Sequence, residues 1–155
     1  VTRLNRTKQS NLKNQQIIQS AITEFGLHRY SEASLNVISK ESNFSKGIIY
    51  HYFKNKHNLY LACVAECFES FITFLNEESV SFENIEVATK KYFSLRQQFF
   101  DRKSKFSNIF ANAVFHPPLH LKKEIRALKT KLDQFNYDFY ESIHQTVDLK
   151  DLCDF

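Results

Sequence analysis

Lys46, Gly47, Tyr50 and His51 carry the densest chemistry in this 155-residue chain. At spacings i, i+1, i+4 and i+5 they share one side of a helix. That side gathers an ammonium, a phenol, an imidazole and a position with no side chain. Such a set suits an anionic partner, because the cation attracts phosphate and the glycine admits a close backbone approach. Phe44, Ile48, Ile49, Tyr52 and Phe53 fall on the other, apolar side and anchor it. A short helix built this way reads as the recognition helix of a helix-turn-helix, the element that enters a DNA major groove.

Positioning that helix requires others around it. Ile17, Ile18, Ala21, Ile22 and Phe25 recur at helical spacing and predict a first helix from about Asn11 to Phe25, with Gly26 just beyond as its C-cap. Ser34 predicts the start of a second helix that buries Val37 and Ile38 and breaks near Ser42-Asn43. Ser45 caps the third, which ends around Phe53. Asn55 caps a fourth, carried by Leu59, Val64, Phe68, Phe71 and Leu75 to about Glu78. Ser79–Ser81 reads as a linker whose last serine caps a fifth helix from Phe82 to about Arg102. A sixth is expected from Phe106 to Phe115, stopped by Pro117-Pro118, since neither ring has a backbone N–H to donate. Pro118 starts a seventh with a seam of Ile125, Leu128, Leu132, Phe135, Phe139 and Ile143. Asp148 reads as the opening of one more helix that is cut short.

Composition points the same way. Two glycines and two prolines leave few turn signals for strands and hairpins, so an all-α protein is expected. Sixteen phenylalanines supply a core. The net charge of +4 is unevenly placed: residues 1–58 sum to +6 and residues 59–155 to −2, so the positive charge gathers around the helix-turn-helix. Three cysteines, an odd number, suit a reducing compartment better than a disulfide framework. Cys63 and Cys67, one turn apart, are expected to be buried reduced thiols. No signal peptide or bilayer-spanning apolar run is legible, and a cytoplasmic location without membrane contact is expected. No phosphate loop, nucleophile elbow or metal-spaced Cys/His set is present; no enzyme activity, metal or cofactor is expected. The sequence contains no methionine, so it is expected to lack its translated start.

The block Ile17-Ile18…Ala21…Phe25…Tyr30…Ser34…Ile38, followed by Phe44-Ser45-Lys46-Gly47-Ile48-Ile49-Tyr50-His51-Tyr52-Phe53-Lys54-Asn55-Lys56 and Leu59, closely resembles the DNA-binding domain of TetR-family transcriptional regulators. The resemblance covers about residues 15–60. It implies that Tyr50 and Lys56 contact backbone phosphates and that His51 lies at the groove. Ser34 and Ser45 bring hydroxyls and helix N-termini to phosphates, Lys46 adds a cation, and Gly47 lets the backbone come close. Lys46, Ile48 and His51 are the side chains with reach to base edges, although Ile48 either packs inward or meets a thymine methyl. Two departures from the family pattern stand out. Ser42-Asn43 replaces Ala-Gly in the turn, where asparagine tolerates a left-handed conformation, and Arg29 replaces a glycine at a modest strain cost.

Beyond residue 58 only architecture resembles the family. The resemblance implies a cavity between the fourth and seventh helices, with Phe68, Phe71, Phe93, Phe110, Asn112, His116, Phe135 and Tyr140 as its expected lining, each phenylalanine having core packing as its alternative. Asn108, Asn112 and His116, and again Asn136, Tyr140 and His144, form polar lines that are either a solvated face or the edge of that pocket. The expectation is therefore an all-α chain, with a three-helix DNA-binding domain over 1–58 and a helical-bundle effector-binding and dimerisation domain over 59–155, truncated before its last dimerisation helices. Its partners would be a double-stranded, near-palindromic DNA operator, a small hydrophobic or aromatic effector and a second copy of itself. The alternative is a helical protein-interaction co-regulator that has lost operator binding.

Overall fold

The computed structural model describes the backbone of residues 2–78 and 85–153, and the side chains of 7–78 and 85–144. It contains α1 (Thr2–Leu27), α2 (Leu35–Ser42), α3 (Lys46–Phe53), α4 (Lys56–Glu77), α5 (Ile85–Arg102), α6 (Ser104–Phe115), a 3-10 turn (Leu119–Leu121) and α7 (Lys122–Cys153). No strand occurs among the described residues. The expected linker Ser79–Ser81 and the first residues of the expected fifth helix lie outside them, as does the Cys153 side chain.

The caps read from sequence form. Ser34 Oγ accepts from Asn36 N, Ser45 Oγ from Ile48 N and Asn55 Oδ1 from Asn58 N, each satisfying an otherwise orphaned donor of a first turn. Asn43 ends α2 at φ 58°, ψ 26°, so the left-handed residue of the turn is the asparagine that replaces glycine. Arg29 is not among the residues with positive φ, which are Asn43 and Lys54, so the strain expected at Arg29 does not arise.

Several boundaries differ from the expectation. α1 begins at Thr2 rather than near Asn11, because its first turns carry no apolar period to reveal them. Gly26 lies inside α1 and has no positive φ; it serves a close approach instead of a C-cap. A Cβ there would lie 2.8 Å from Lys105 Cβ and 2.9 Å from Lys105 Cα on α6. Val37 is exposed, and Ile38 alone of that pair is buried. Asp148 opens no new helix. With no glycine or proline after Ile143, α7 continues unbroken to Cys153.

α4 is the central element. Its stripe Leu59, Tyr60, Cys63, Val64, Cys67, Phe68, Phe71 and Leu75 is buried against α1, α5, α6 and α7. By length and composition it is apolar enough to cross a bilayer, and here that apolar surface forms the core. Phe71 sits among Phe99, Phe100 and Phe110 at ring-centroid distances of 5.1, 5.4 and 5.9 Å, and Phe68 meets Phe110 edge-on at 5.7 Å. The α7 seam closes this cluster as its spacing predicts, with Ile125, Leu132 and Ile143 buried and Leu128, Phe135 and Phe139 partly so.

α1 makes its most extensive contact with α6. Around Gly26, Asn108 Nδ2 donates to Gly26 O at 2.7 Å and Lys105 Nζ to Thr23 Oγ1 at 2.8 Å. The N-terminal helices are thereby fastened to the rest of the molecule on one side by this contact and on the other by the unbroken α4.

Candidate nucleic-acid interface

The α2–turn–α3 unit is set by short local bonds. Ser39 Oγ donates to Phe44 O at 2.7 Å and Asn43 N to Lys40 O at 3.3 Å, fixing the turn. Buried Glu24 on α1 accepts from Ser34 N at 2.8 Å and so holds the start of α2. Ile49 and Phe53 bury the inner side of α3, with Tyr52 half-buried beside them. Lys46, Gly47, Ile48, Tyr50 and His51 are all exposed on the outer side.

Two expectations resolve here. Ile48 is 39% exposed, so it belongs with the outward set and not with the apolar anchor. At Gly47 the nearest atom to an added Cβ is Ser45 Oγ at 3.8 Å. Nothing inside the fold demands glycine there, so any demand for it comes from outside.

Lys56 opens α4 with its Nζ 4.8 Å from the centre of the Tyr30 ring, a cation–π contact that holds the ammonium beside the helix N-terminus. Desolvation by burial lowers its pKa from the ordinary lysine value, and the Glu24 carboxylate opposes that shift. Tyr52 Oη lies 3.3 Å from Ser10 Oγ, which ties α3 to the first turns of α1. Neither Tyr30 as the seat of Lys56 nor Ser10 was legible in the sequence, because both contacts join residues far apart in the chain.

The arrangement is a capped short helix buried on its inner side and exposed on its outer side, flanked by helix N-termini and cations. The bacterial regulatory protein family of the tetR type matches residues 17–63 of the chain, the segment that holds all of these groups. Over that segment the chain carries the DNA-binding domain of TetR-family transcriptional regulators.

The resemblance extends past the helix-turn-helix. The chain is 26% identical over 141 residues to the biofilm operon icaADBC HTH-type negative transcriptional regulator IcaR of Staphylococcus epidermidis, covering 87% of this chain and 73% of that protein. It is 29% identical over 92 residues to the fatty acid metabolism regulator protein of Bacillus subtilis, covering 57% of this chain and 47% of that protein. A solved structure from Shewanella sp. PV-4, described as a tetR family transcription regulator, superposes with a TM-score of 0.62 over 91% of this chain and 71% of that one. At 15% identity that likeness speaks to the fold. A TetR-family DNA-binding regulator is thus the function class of this chain.

The expected effector-lining residues of this TetR-family chain do not converge on one cavity between α4 and α7. Phe68, Phe71 and Phe110 are buried in the interlocked core. Phe93 is 57% exposed and lines, with Phe100, Phe110 and Phe115, a groove of about 350 Å³ between α5 and α6. Asn112 and His116 line a separate cleft with Tyr30 and Tyr60. Phe135 packs half-buried against the core, and Tyr140 is exposed beside His144. The reason is angular. Residues two apart on one helix, such as Phe110 and Asn112, point about 200° apart and cannot serve one cavity. Of the second polar line, Asn136 Oδ1 accepts from Tyr92 Oη at 2.9 Å, which joins α5 to α7.

Proposed function

We propose that the protein is a ligand-responsive repressor that binds a near-palindromic operator as a homodimer. Residues 1–58 act as the reading head and residues 59–155 as the control domain. In this reading Ser34, Ser45, Tyr50 and Lys56 meet backbone phosphates, Lys46, Ile48 and His51 reach base edges, and Gly47 admits the close approach. Two copies place their α3 helices in successive major grooves, about 34 Å apart. The observation that carries the reading is the outward side of α3, where Lys46, Gly47, Ile48, Tyr50 and His51 are all exposed and no packing inside the fold calls for the glycine.

The repressing sense is supported by the negative regulator IcaR, which resembles this chain along most of its length. A soluble cytoplasmic protein fits this role. The effector is a small hydrophobic or aromatic molecule that favours a dimer with wrongly spaced heads, so that ligand and operator compete through two global states.

The test is retention of a duplex carrying the protein's own upstream region, measured across a salt series. Affinity should fall steeply and linearly on a log–log plot, as release of counterions requires. Lys56→Ala should flatten that slope by about one unit for each half-site. A folded protein that ignores the duplex even at low salt would be a protein-interaction co-regulator instead.

A further inference from the structure

A cleft of about 390 Å³ lies where the reading head meets the control domain. Its walls come from the link between α1 and α2 (Arg29, Tyr30), the second turn of α4 (Tyr60), the end of α6 (Asn112, His116) and the 3-10 turn (His120). It is separate from the phenylalanine core and from the groove at Phe93.

Three features describe what it would hold. The first is aromatic. Tyr30 lies 5.1 Å from Tyr60 and 5.4 Å from His120 between ring centres, so the cleft offers flat, polarisable walls. The second is a set of cationic and N–H-bearing groups. No acidic residue lines the cleft, whereas the Arg29 guanidinium and two imidazoles able to hydrogen-bond do; the Lys56 ammonium sits over the Tyr30 ring next to it, with Glu24 acting on it from α1 and Glu32 lining an adjoining pocket with Arg29. Among the described residues neither Arg29 nor Lys56 forms a salt bridge. The third is an orphaned polar atom. Tyr60 is 1% exposed and its Oη finds no hydrogen-bond partner among the described residues. Buried hydroxyls are rarely left in that condition. Burial, as the largest cause, pushes this phenol up to about 12, so it remains a neutral donor.

We infer that this junction cleft is an effector site for a small planar aromatic carboxylate. The ring packs among Tyr30, Tyr60 and His120, the carboxylate meets Arg29 and the imidazoles, and the Tyr60 hydroxyl donates the remaining hydrogen bond. The volume is within the range of small-molecule sites. Because Tyr30 also seats Lys56, an anion in the cleft draws on the same cation that the operator phosphate needs. This regulatory half rests on the operator-binding reading, whereas the binding site itself does not.

Calorimetry on the 155-residue protein without DNA tests the site. The probes are benzoate and 2-naphthoate, with benzyl alcohol as the uncharged counterpart and inorganic phosphate as the anion without a ring. The aromatic acids should saturate one site per chain, and the alcohol and phosphate should bind at least about tenfold more weakly, the cost of a lost charge-assisted bond. Tyr60→Phe, which keeps the ring, and Arg29→Ala, at an exposed residue, should each weaken naphthoate by about tenfold. Phe93→Ala, in the other groove, should change nothing. Equal binding of benzyl alcohol, no saturable binding of either acid, or indifference to Arg29→Ala would overturn the assignment. In a second arm, saturating naphthoate should loosen operator retention by the wild-type protein. Unchanged retention with the acid bound would remove the regulatory half. Failure to retain DNA in the absence of any acid would count against the operator reading, while calorimetry still decides the site.

Discussion

Gly47 is the residue at which the fold and the partner make different demands. Inside the protein a methyl group at this position meets only Ser45 Oγ, at ordinary van der Waals distance. Gly47→Ala should therefore raise thermal stability by about 0.5–1 kcal/mol, the helix-propensity difference. Operator affinity should fall in the same variant, because the added methyl stands where the groove must come close. Stability and duplex retention measured side by side check this; unchanged retention would mean that α3 does not approach DNA at this point. Tyr50→Ala should likewise abolish retention with helicity intact, since its side chain is 44% exposed and supports no core contact. Cys63 and Cys67 belong to a different class. Both thiols are free and buried, and Cys67 Sγ lies 3.6 Å from Phe106 O. Desolvation by burial, the largest cause in each, raises both, Cys67 to about 12. Their folded pKa values lie above the ordinary value of 9.0, so the folded state retains protons that the unfolded chain releases. Stability from these thiols is complete below about pH 9 and falls as the pH rises from there toward 12. Denaturant midpoints at pH 8 and pH 10 check the sign, and a Cys63→Ala, Cys67→Ala pair should show a shallower decline.

At the scale of elements, the contact between α1 and α6 is the tightest constraint on the reading head. Gly26→Ala brings a methyl to 2.8–2.9 Å of the Lys105 backbone and Cβ, and the backbone cannot yield cheaply. The substitution should cost about 1–3 kcal/mol, as overpacking does, visible as a lowered melting temperature. No loss of stability would mean that α6 can slide on α1. The same position marks the limit of reading sequence. Ser34, Asn43, Ser45 and Asn55 were legible because each of these caps is a local bond between residues two or three apart. Gly26 was misassigned as a cap because its true reason, Lys105, is remote in the chain. The first turns of α1 were invisible because a polar helix has no apolar period. The phenylalanines were legible as buried or not only where a helix face had one neighbour. On α5 the same residue type is buried at Phe99 and mostly exposed at Phe93.

At the scale of the molecule, stability is concentrated where α4, α5 and α6 exchange rings. Phe71→Ala removes a fully buried ring that touches Phe99, Phe100 and Phe110. It should cost about 3–5 kcal/mol, measured by denaturant unfolding, and a loss near zero would mean the cluster can collapse on itself. The unbroken α4 has a geometric consequence. It has 22 residues and so is about 33 Å long, with Lys56 at one tip and the Phe71 cluster near the other. The arm from Phe71 back to Lys56 is about 22 Å, and a pivot of about 5° at the ring cluster carries the Lys56 tip through about 2 Å. Added to a hydrogen bond of about 2.9 Å, a shift of that size exceeds bonding distance, so a rearrangement in the core too small to repack any ring would already separate Lys56 from a phosphate bound at this tip.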